Sequence, residues 1–178
     1  MTTTTAPQQQ RTRSTGIVLI AATLFNGVMA GVWFAYSTSV MGALARQDDR
    51  TYIGMMQDIN IVIRNPLFFL GMLGALALPA FAAWQLRKQR PVIGWVLAGT
   101  ALYLAAFFVT MGANVPLNDA LDAAGDPAKI ASPASVRADF EDPWVMWNHI
   151  RGILNVAAVV CLSRALILFG RRTARTAA

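Results

Sequence analysis

The chain alternates long apolar stretches with short charged segments. No Asp, Glu, Lys or Arg occurs in residues 14–45, 65–86 or 91–118. Each of these stretches reaches the roughly 20 residues that a helix needs to cross a bilayer. A fourth stretch, 147–170, contains only Arg151 and Arg164, each near an end from which a long side chain reaches the interface. The pattern predicts an all-α integral membrane four-helix bundle.

The charged segments set the expected boundaries of this single domain, 16–170. The four crossings are expected at about residues 16–40, 66–86, 91–114 and 147–169. The segment ahead of them, 1–15, is predicted to be a disordered cytoplasmic tail, and 171–178 a basic cytoplasmic tail. The long connection before Pro143 is expected to be flexible, with at most a short helix near residues 134–140.

Charge is divided unevenly between the two sides of this arrangement. All nine acidic residues fall in the loops after the first and third crossings. Most of the basic residues fall on the other side: Arg11, Arg13, Arg87, Lys88, Arg90, Arg164, Arg171, Arg172 and Arg175. The positive-inside rule therefore predicts a multi-pass protein of the plasma membrane with both termini in the cytoplasm. The net charge of +6 is then a topology signal, and no nucleic-acid partner is expected.

Composition excludes several classes of protein and site. Hydrophobic residues make up 56% of the chain and charged residues 13%, which is outside the range of soluble domains. A single cysteine, Cys161, excludes an intrachain disulfide. The sequence has no phosphate-binding loop, no dinucleotide fingerprint and no nucleophile-elbow motif. No cofactor is expected, because a single histidine, His149, supports haem or copper only across a homo-oligomer.

Two segments carry helical patterns with more than one interpretation. Residues 51–64 have the spacing of a short amphipathic helix in the first outer loop, lying either on the membrane interface or as a lid over the bundle. In the first crossing, Gly27 and Gly31 form a small-xxx-small pair that favours close helix approach. Asn26, beside this pair, is expected to form an interhelical hydrogen bond rather than to contact a ligand.

The fourth helix has the most informative face. At about 100° per residue, one third of its circumference collects Trp144, Trp147, Asn148, Arg151 and Asn155, whereas His149 points elsewhere. The face is either an interfacial anchor with an aromatic belt or a set of donors directed into the bundle. Several donors inside a bundle are costly unless they meet each other or a ligand. In the second case they could hold an oxyanion.

A second polar group closes the third crossing. Asn114, Asn118 and Asp119 surround Pro116, and they lie either on one helix face or in a turn, because proline disfavours helix at the residue before it. Helix termination is the simpler interpretation of these residues. Either way they lie at the outer end of the bundle, where the fourth helix begins.

Four stretches in a fixed order resemble the anthrone-oxygenase-like family of small four-helix membrane proteins. They are GVWFAYSTSVMGAL, MQDINIVIRNPLFF, NVPLNDAL and WVMWNHIRGILN. Characterised members are implicated in oxidising anthrones to anthraquinones without an established metal or flavin. The resemblance implies this fold and suggests that chemistry, and it places the family's polar signature on Asn60, Asn65, Asn114, Asn118, Trp147 and Arg151.

These residues suggest a membrane-embedded oxygenase acting on a hydrophobic aromatic or polyketide-like substrate. In this hypothesis Arg151, with Asn114 or Asn118, stabilises an enolate that reacts with O₂. Asp119 is the nearest base, and His149 is the second candidate. The expected substrate contacts are Trp147, which stacks on the rings, with Asn148, Asn155, Asn60, Asn65 and Trp144. The alternative is a non-enzymatic protein that binds a lipid, a quinone or a partner membrane protein through the Gly27 and Gly31 stripe and the amphipathic helix.

Overall fold

Four long apolar helices dominate the structure, a computed structural model that describes the backbone of residues 6–177 and the side chains of residues 10–175. The apolar segments long enough to cross a membrane are Gln10–Leu44, Pro66–Leu86, Val92–Ala123 and Pro133–Arg175. Each pairs with its neighbours to form an antiparallel bundle. The prediction of an all-α, multi-pass membrane bundle is confirmed.

The helices follow one another with short connections. α1 covers Ala6–Ala35, a first π-helical turn covers Tyr36–Val40, and α2 covers Met41–Leu44. α3 covers Asp49–Val62 and α4 covers Pro66–Leu86. α5 covers Val92–Val109, a second π-helical turn covers Thr110–Asn114, and α6 covers Val115–Ala123. After a short 3₁₀ turn at Pro127–Lys129, α7 covers Pro133–Ala177.

The two ends of the bundle differ in what they contain. The start of α1 and the end of α7 lie beside the α4–α5 turn, where Arg172 donates to the carbonyl of Arg90; we call this the termini end. The opposite end, which we call the α3 end, contains α2, α3 and α6, packed on the first turns of α7. All nine acidic residues belong to segments at the α3 end. Charge is therefore segregated along the bundle axis.

Packing along the bundle forms three apolar clusters. Leu19, Leu86, Val96 and Leu162 represent the cluster at the termini end. Met29, Trp33, Met72 and Tyr103 lie in the middle. The α3 end has its own cluster, formed by Met41, Leu44, Tyr52, Ile53, Met56, Leu121, Ile130, Phe140 and Trp144. α3 therefore buries one face against α6 and α7.

Asn26 forms the interhelical hydrogen bond predicted for it. Its amide donates to the carbonyl of Ala75 on α4 at 2.9 Å and to that of Ala22 at 2.9 Å. The predicted role of Gly27 and Gly31 is wrong within the chain, since nothing lies within 4 Å of a Cβ built at either glycine. Close approach occurs at Gly99 instead, where a Cβ would lie 3.0 Å from Leu162.

The helices extend beyond the expected crossings at both termini. Tail 1–15 was expected to be disordered, but α1 begins at Ala6, and Met1–Thr5 lie outside the described residues. Ala, Gln and Arg are strong helix formers, and Thr15, buried against the bundle, donates to the carbonyl of Arg11. Residues 171–177 likewise continue α7.

The connection before Pro143 is not a flexible loop, because α7 begins at Pro133. Arg137 joins this first part of α7 to the α2–α3 connection. Its guanidinium donates to Asp49 at 3.0 Å, to Glu141 at 2.6 Å and to the carbonyls of Ala45 and Gln47. Phe140 also packs its ring against that of Tyr52. These contacts were not predictable from the local sequence, and they offset the backbone hydrogen bond that Pro143 cannot make.

Candidate active site

A cavity of about 260 Å³ lies inside the bundle at the α3 end. Its volume is near the lower limit for sites that bind small molecules. Its wall is formed by α1, α3, α4, α6, α7 and the two π turns. The apolar wall residues are Trp33, Ile59, Ile63, Phe68, Phe69, Met72, Met111, Val115 and Trp144. The polar ones are Tyr36, Asn60, Arg64, Thr110, Asn114, Asn118, Asp119, Asp122 and Arg151.

Arg151 is the buried cation of this cavity, with 3% of its surface exposed. Its guanidinium carbon lies 3.8 Å from the ring centroid of Trp33 and 5.0 Å from that of Trp144. No carboxylate within salt-bridge distance of Arg151 occurs among the described residues. A buried charge without a counter-ion is costly, and aromatic faces compensate only part of the cost. Arg151 therefore offers a positive charge to whatever enters the cavity.

Asn148 holds the guanidinium of Arg151 in place through hydrogen bonds. Its side-chain oxygen accepts from Nε and Nη2 of Arg151 at 3.2 and 3.0 Å. Its amide nitrogen donates to the hydroxyl of Ser37 at 2.8 Å and to the carbonyl of Trp33 at 3.2 Å. Asn148 is thus fully engaged, and it links Arg151 to α1.

Two buried asparagines of the cavity wall each have one unpaired side-chain atom. The side-chain nitrogen of Asn60 and the side-chain oxygen of Asn114 have no hydrogen-bond partner. Asn60 is 6% exposed and Asn114 1% exposed. Unpaired buried polar atoms are uncommon and cost about 1–3 kcal/mol each. A ligand in the cavity could supply both missing partners.

Trp144 forms a hydrogen bond with each asparagine of the second polar group, Asn114 and Asn118. The indole nitrogen of Trp144 donates to the side-chain oxygen of Asn118 at 2.8 Å. The amide of Asn114 donates to the carbonyl of Trp144 at 3.3 Å. Trp144 therefore joins α6 and the second π turn to α7, and its ring forms one wall of the cavity.

The carboxylates of the cavity lie on α6. Asp119 is exposed and Asp122 is half-buried, and both line the wall. α6 is continuous with the preceding helix despite Pro116, so the alternative of a turn at Asn114 and Asn118 is wrong. The second π turn explains this, because Val115 N–H bonds to Thr110 O, one residue further back than in an α-helix. The wider turn makes room for the proline ring.

The structure brings together six of the residues singled out from the sequence and leaves others apart. Those lining the cavity are Arg151, Asn114, Asn118, Asp119, Asn60 and Trp144. Asn148 and Asn155 are buried behind Arg151, and Asn155 donates to its carbonyl at 3.4 Å. Trp147 does not line the cavity, and Asn65 caps α4 by accepting from Phe68 N–H at 3.0 Å. His149 is exposed in a separate groove between α1 and α7.

Sequence reasoning did not single out the other twelve cavity residues, among them Trp33, Tyr36 and Asp122. Trp33 and Tyr36 lie on α1 and the first π turn, and their approach to Arg151 depends on how α1 packs against α7. Asp122 was detectable, since it follows Asn118 by four residues and shares its helix face if the helix continues through Pro116. Among residues 6–177, no group of three or more His, Cys, Asp or Glu side chains is arranged to hold a metal ion.

This arrangement suits the binding of a flat, apolar molecule that carries a negative oxygen. Aromatic rings cover much of the wall, while the guanidinium of Arg151 and the unpaired amide nitrogen of Asn60 provide charge and a hydrogen-bond donor. Asp119 and Asp122 provide proton acceptors in the same wall. The cavity thus combines donors for a developing negative charge with carboxylates that can take up a proton.

Comparison with known proteins identifies the family. A family model described as anthrone oxygenase matches residues 63–161, more than half of the chain. No match is found among curated proteins or among solved structures. The matched segment contains Asn114, Asn118, Asp119 and Arg151, whereas Trp33, Tyr36 and Asn60 precede it. This four-helix membrane protein belongs to the anthrone oxygenase family.

Proposed function

We propose that the protein is a membrane-embedded oxygenase that oxidises a hydrophobic aromatic or polyketide-like ketone with O₂. The observation that carries the proposal is Arg151, a buried arginine without a carboxylate partner that lines an otherwise mostly apolar cavity. Such a group stabilises an anion more strongly in an apolar site than it does in water. The family match supports the same class of chemistry.

The reaction begins with removal of a proton. An anthrone loses a proton from its ring methylene because the negative charge spreads onto the carbonyl oxygen. Asp119 takes this proton, with Asp122 as the neighbouring carboxylate. The enolate oxygen is held by Arg151, assisted by Asn114, Asn118 and the unpaired nitrogen of Asn60. The protein's contribution is therefore to make the enolate accessible and to hold it.

The oxygen step follows from the enolate itself. The enolate gives one electron to O₂, and the resulting carbon radical and superoxide combine to form a carbon–oxygen bond. The peroxide anion regains the proton held by the carboxylate, and the hydroperoxide loses water to give the new ketone. Each turnover consumes one O₂, with one oxygen atom in the product and the other in water.

Oxygen uptake by the purified, chelator-treated protein given a simple anthrone tests this proposal. We expect uptake to produce anthraquinone, with one atom of ¹⁸O₂ in the new carbonyl. Arg151→Gln should lower the rate by about 100-fold or more, the usual effect of losing a donor to an oxyanion. Arg151→Lys, which keeps the charge but loses the paired donors of the planar guanidinium, should retain an intermediate rate.

Arg164→Gln is the matched control, because Arg164 is the other arginine within the fourth crossing and is exposed. It should retain the wild-type rate. Thermal unfolding of all three variants checks that they fold, and Arg151→Gln leaves no buried charge unpaired. If Arg151→Gln oxidises anthrone at the wild-type rate, the assignment of Arg151 is wrong. If wild type gives only the background rate, the non-enzymatic alternative replaces the oxygenase.

We also propose that the termini end faces the cytoplasm and that the protein resides in the plasma membrane. The basic residues at that end support this orientation. The cavity then lies near the outer surface of the membrane, where an apolar substrate partitions into the lipid.

A further inference from the structure

A second pocket, of about 310 Å³, lies at the termini end, on the opposite side of the molecule from the proposed active site. It is formed where the start of α1 meets the end of α4. Three basic residues line it, Arg11, Arg87 and Lys88, together with the polar Thr15, Gln85 and Gln89. The proposed oxidation does not use any of these residues.

The positive charge of this pocket is not balanced locally. Every Asp and Glu of the chain lies between positions 48 and 142, in segments at the α3 end. The pocket's own lining, all of it within the described part of the chain, includes no acidic side chain. Three cations around one cavity without a counter-ion create a positive potential that attracts an anion.

Contacts within the pocket hold its wall in place and leave one acceptor free. Arg87 donates to the carbonyl of Trp84 at 2.8 Å, and its guanidinium carbon lies 5.0 Å from the Trp84 ring centroid. Thr15 is buried and donates to the carbonyl of Arg11 at 3.0 Å. The side-chain oxygen of Gln85 is buried without a hydrogen-bond partner. An occupant that carries both an anionic group and a hydroxyl fits these groups.

The depth of the pocket in the membrane suggests where such an anion comes from. The pocket lies where the charge-free stretch 65–86 ends, with the exposed Trp84 beside it. Tryptophan at the end of an apolar helix marks the headgroup level of a bilayer. Phosphodiester groups of anionic lipids occupy this level, and clusters of Lys and Arg there bind them.

We propose that the pocket formed by Arg11, Arg87 and Lys88 with Gln85 binds a phosphate group. The source is either the headgroup of an anionic phospholipid or phosphate in solution. The two cations at the α4–α5 turn contact the phosphate oxygens, and Gln85 accepts a hydrogen bond from a hydroxyl of the same headgroup. The site is independent of the proposed oxidation.

Thermal unfolding and lipid titration of the detergent-purified full-length chain test this inference. The probes are phosphatidylglycerol, phosphatidylcholine, glycerol phosphate and inorganic phosphate. Phosphatidylglycerol should raise the unfolding temperature, and phosphatidylcholine should have little effect. The double variant Arg87→Gln, Lys88→Gln should bind phosphatidylglycerol about 30-fold more weakly, the loss expected for two cations at a lipid surface.

The control removes the same charge at the same end but outside the pocket: Arg171→Gln, Arg175→Gln. It should bind phosphatidylglycerol as the wild type does. Stabilisation by phosphatidylglycerol alone identifies a lipid headgroup, and equal stabilisation by inorganic phosphate identifies a free anion. Equal loss of binding in both double variants would mean that surface charge acts without a pocket, and it overturns the proposal. Absence of stabilisation by every probe overturns it as well.

Discussion

At the scale of single residues, buried polar atoms divide into paired and unpaired groups. Tyr103 donates to the carbonyl of Met72 at 2.7 Å and joins α5 to α4. Asn60 is also buried and lines the cavity, but its side-chain nitrogen has no partner. The hydrogen bond of Tyr103 stabilises the bundle, whereas the unpaired nitrogen of Asn60 is a cost that a ligand would offset.

This difference predicts opposite effects for two substitutions. Asn60→Leu should keep or raise the unfolding temperature, because it removes an unpaired buried donor, while kcat/KM for anthrone oxidation falls about tenfold or more. Tyr103→Phe should lower stability by about 1 kcal/mol and leave kcat/KM unchanged. Thermal unfolding and oxygen uptake on both variants check this. Loss of stability in Asn60→Leu with full activity would contradict the assignment of Asn60.

The first turn of α3 makes the stability of the protein depend on pH through Asp48. The carboxylate of Asp48 accepts from Thr51 Oγ1 at 2.6 Å and from the backbone N–H groups of Arg50 and Thr51, and these bonds lower its pKa. A lowered pKa in the folded state means that this stabilisation is fully present above the unfolded pKa of about 3.9 and is lost as pH falls through the folded value. Unfolding temperatures measured between pH 6 and pH 2.5 should therefore fall less steeply for Asp48→Asn than for wild type.

The polar face of α7 illustrates how far residue patterns reach. Its periodicity predicted that Trp144, Trp147, Asn148, Arg151 and Asn155 share one direction; Trp147 is half-buried and the other four are buried. Helical geometry alone fixes that direction. Helical geometry does not fix which of these side chains lines a cavity, because that depends on the first crossing. There Ser37 accepts a hydrogen bond from Asn148, and the Trp33 ring lies against the guanidinium of Arg151, which has no carboxylate partner.

At the scale of elements, the two π turns lie beside the cavity. Tyr36 begins the first turn, and Thr110, Met111 and Asn114 belong to the second; all four line the wall. A π turn holds one extra residue and re-aims the side chains around it, and such turns are frequent at functional sites. The π turns were not predictable from the local sequence, because the extra residue of a π turn leaves no recognisable pattern of residue types.

The second π turn and Pro116 should be coupled. Deleting Gly112 removes the extra residue and restores α-helical spacing, which brings the Pro116 ring against the carbonyl four residues earlier at a cost of about 3 kcal/mol. The same deletion in a Pro116→Ala background should cost much less. A double-mutant cycle from thermal unfolding measures the difference. Equal costs in both backgrounds would show that the turn does not serve to accommodate the proline.

At the scale of the whole molecule, composition and hydropathy were sufficient to predict four apolar helices long enough to cross a membrane. A charge-free stretch of bilayer length has few alternatives to a spanning helix. The ends of the helices were harder to predict, since α7 begins at Pro133, well ahead of its apolar stretch. Long-range contacts such as Arg137 with the carbonyls of Ala45 and Gln47 stabilise that beginning, and no local pattern encodes them.

The proposed orientation makes a prediction for the intact membrane. In a Cys161→Ser background, Ala128→Cys introduces a thiol at the α3 end and Ala174→Cys one at the termini end. A membrane-impermeant maleimide added to intact cells or spheroplasts should label the first variant and not the second, because the basic end is retained in the cytoplasm. Lysed cells, in which both should be labelled, provide the control. Labelling of only the Ala174→Cys variant would reverse the orientation.

The cavity wall is drawn from two unequal portions of the chain. The stretch that matches the family model contributes the guanidinium of Arg151 and the side chains of α6, which bear charge. It also contributes much of the apolar wall, including Phe68, Phe69 and Met72. Trp33, Tyr36, Ile59 and Asn60 come from before that stretch. Changes at Trp33, Tyr36 or Ile59 would therefore alter which molecule fits the cavity while Arg151 and the α6 carboxylates stay in place.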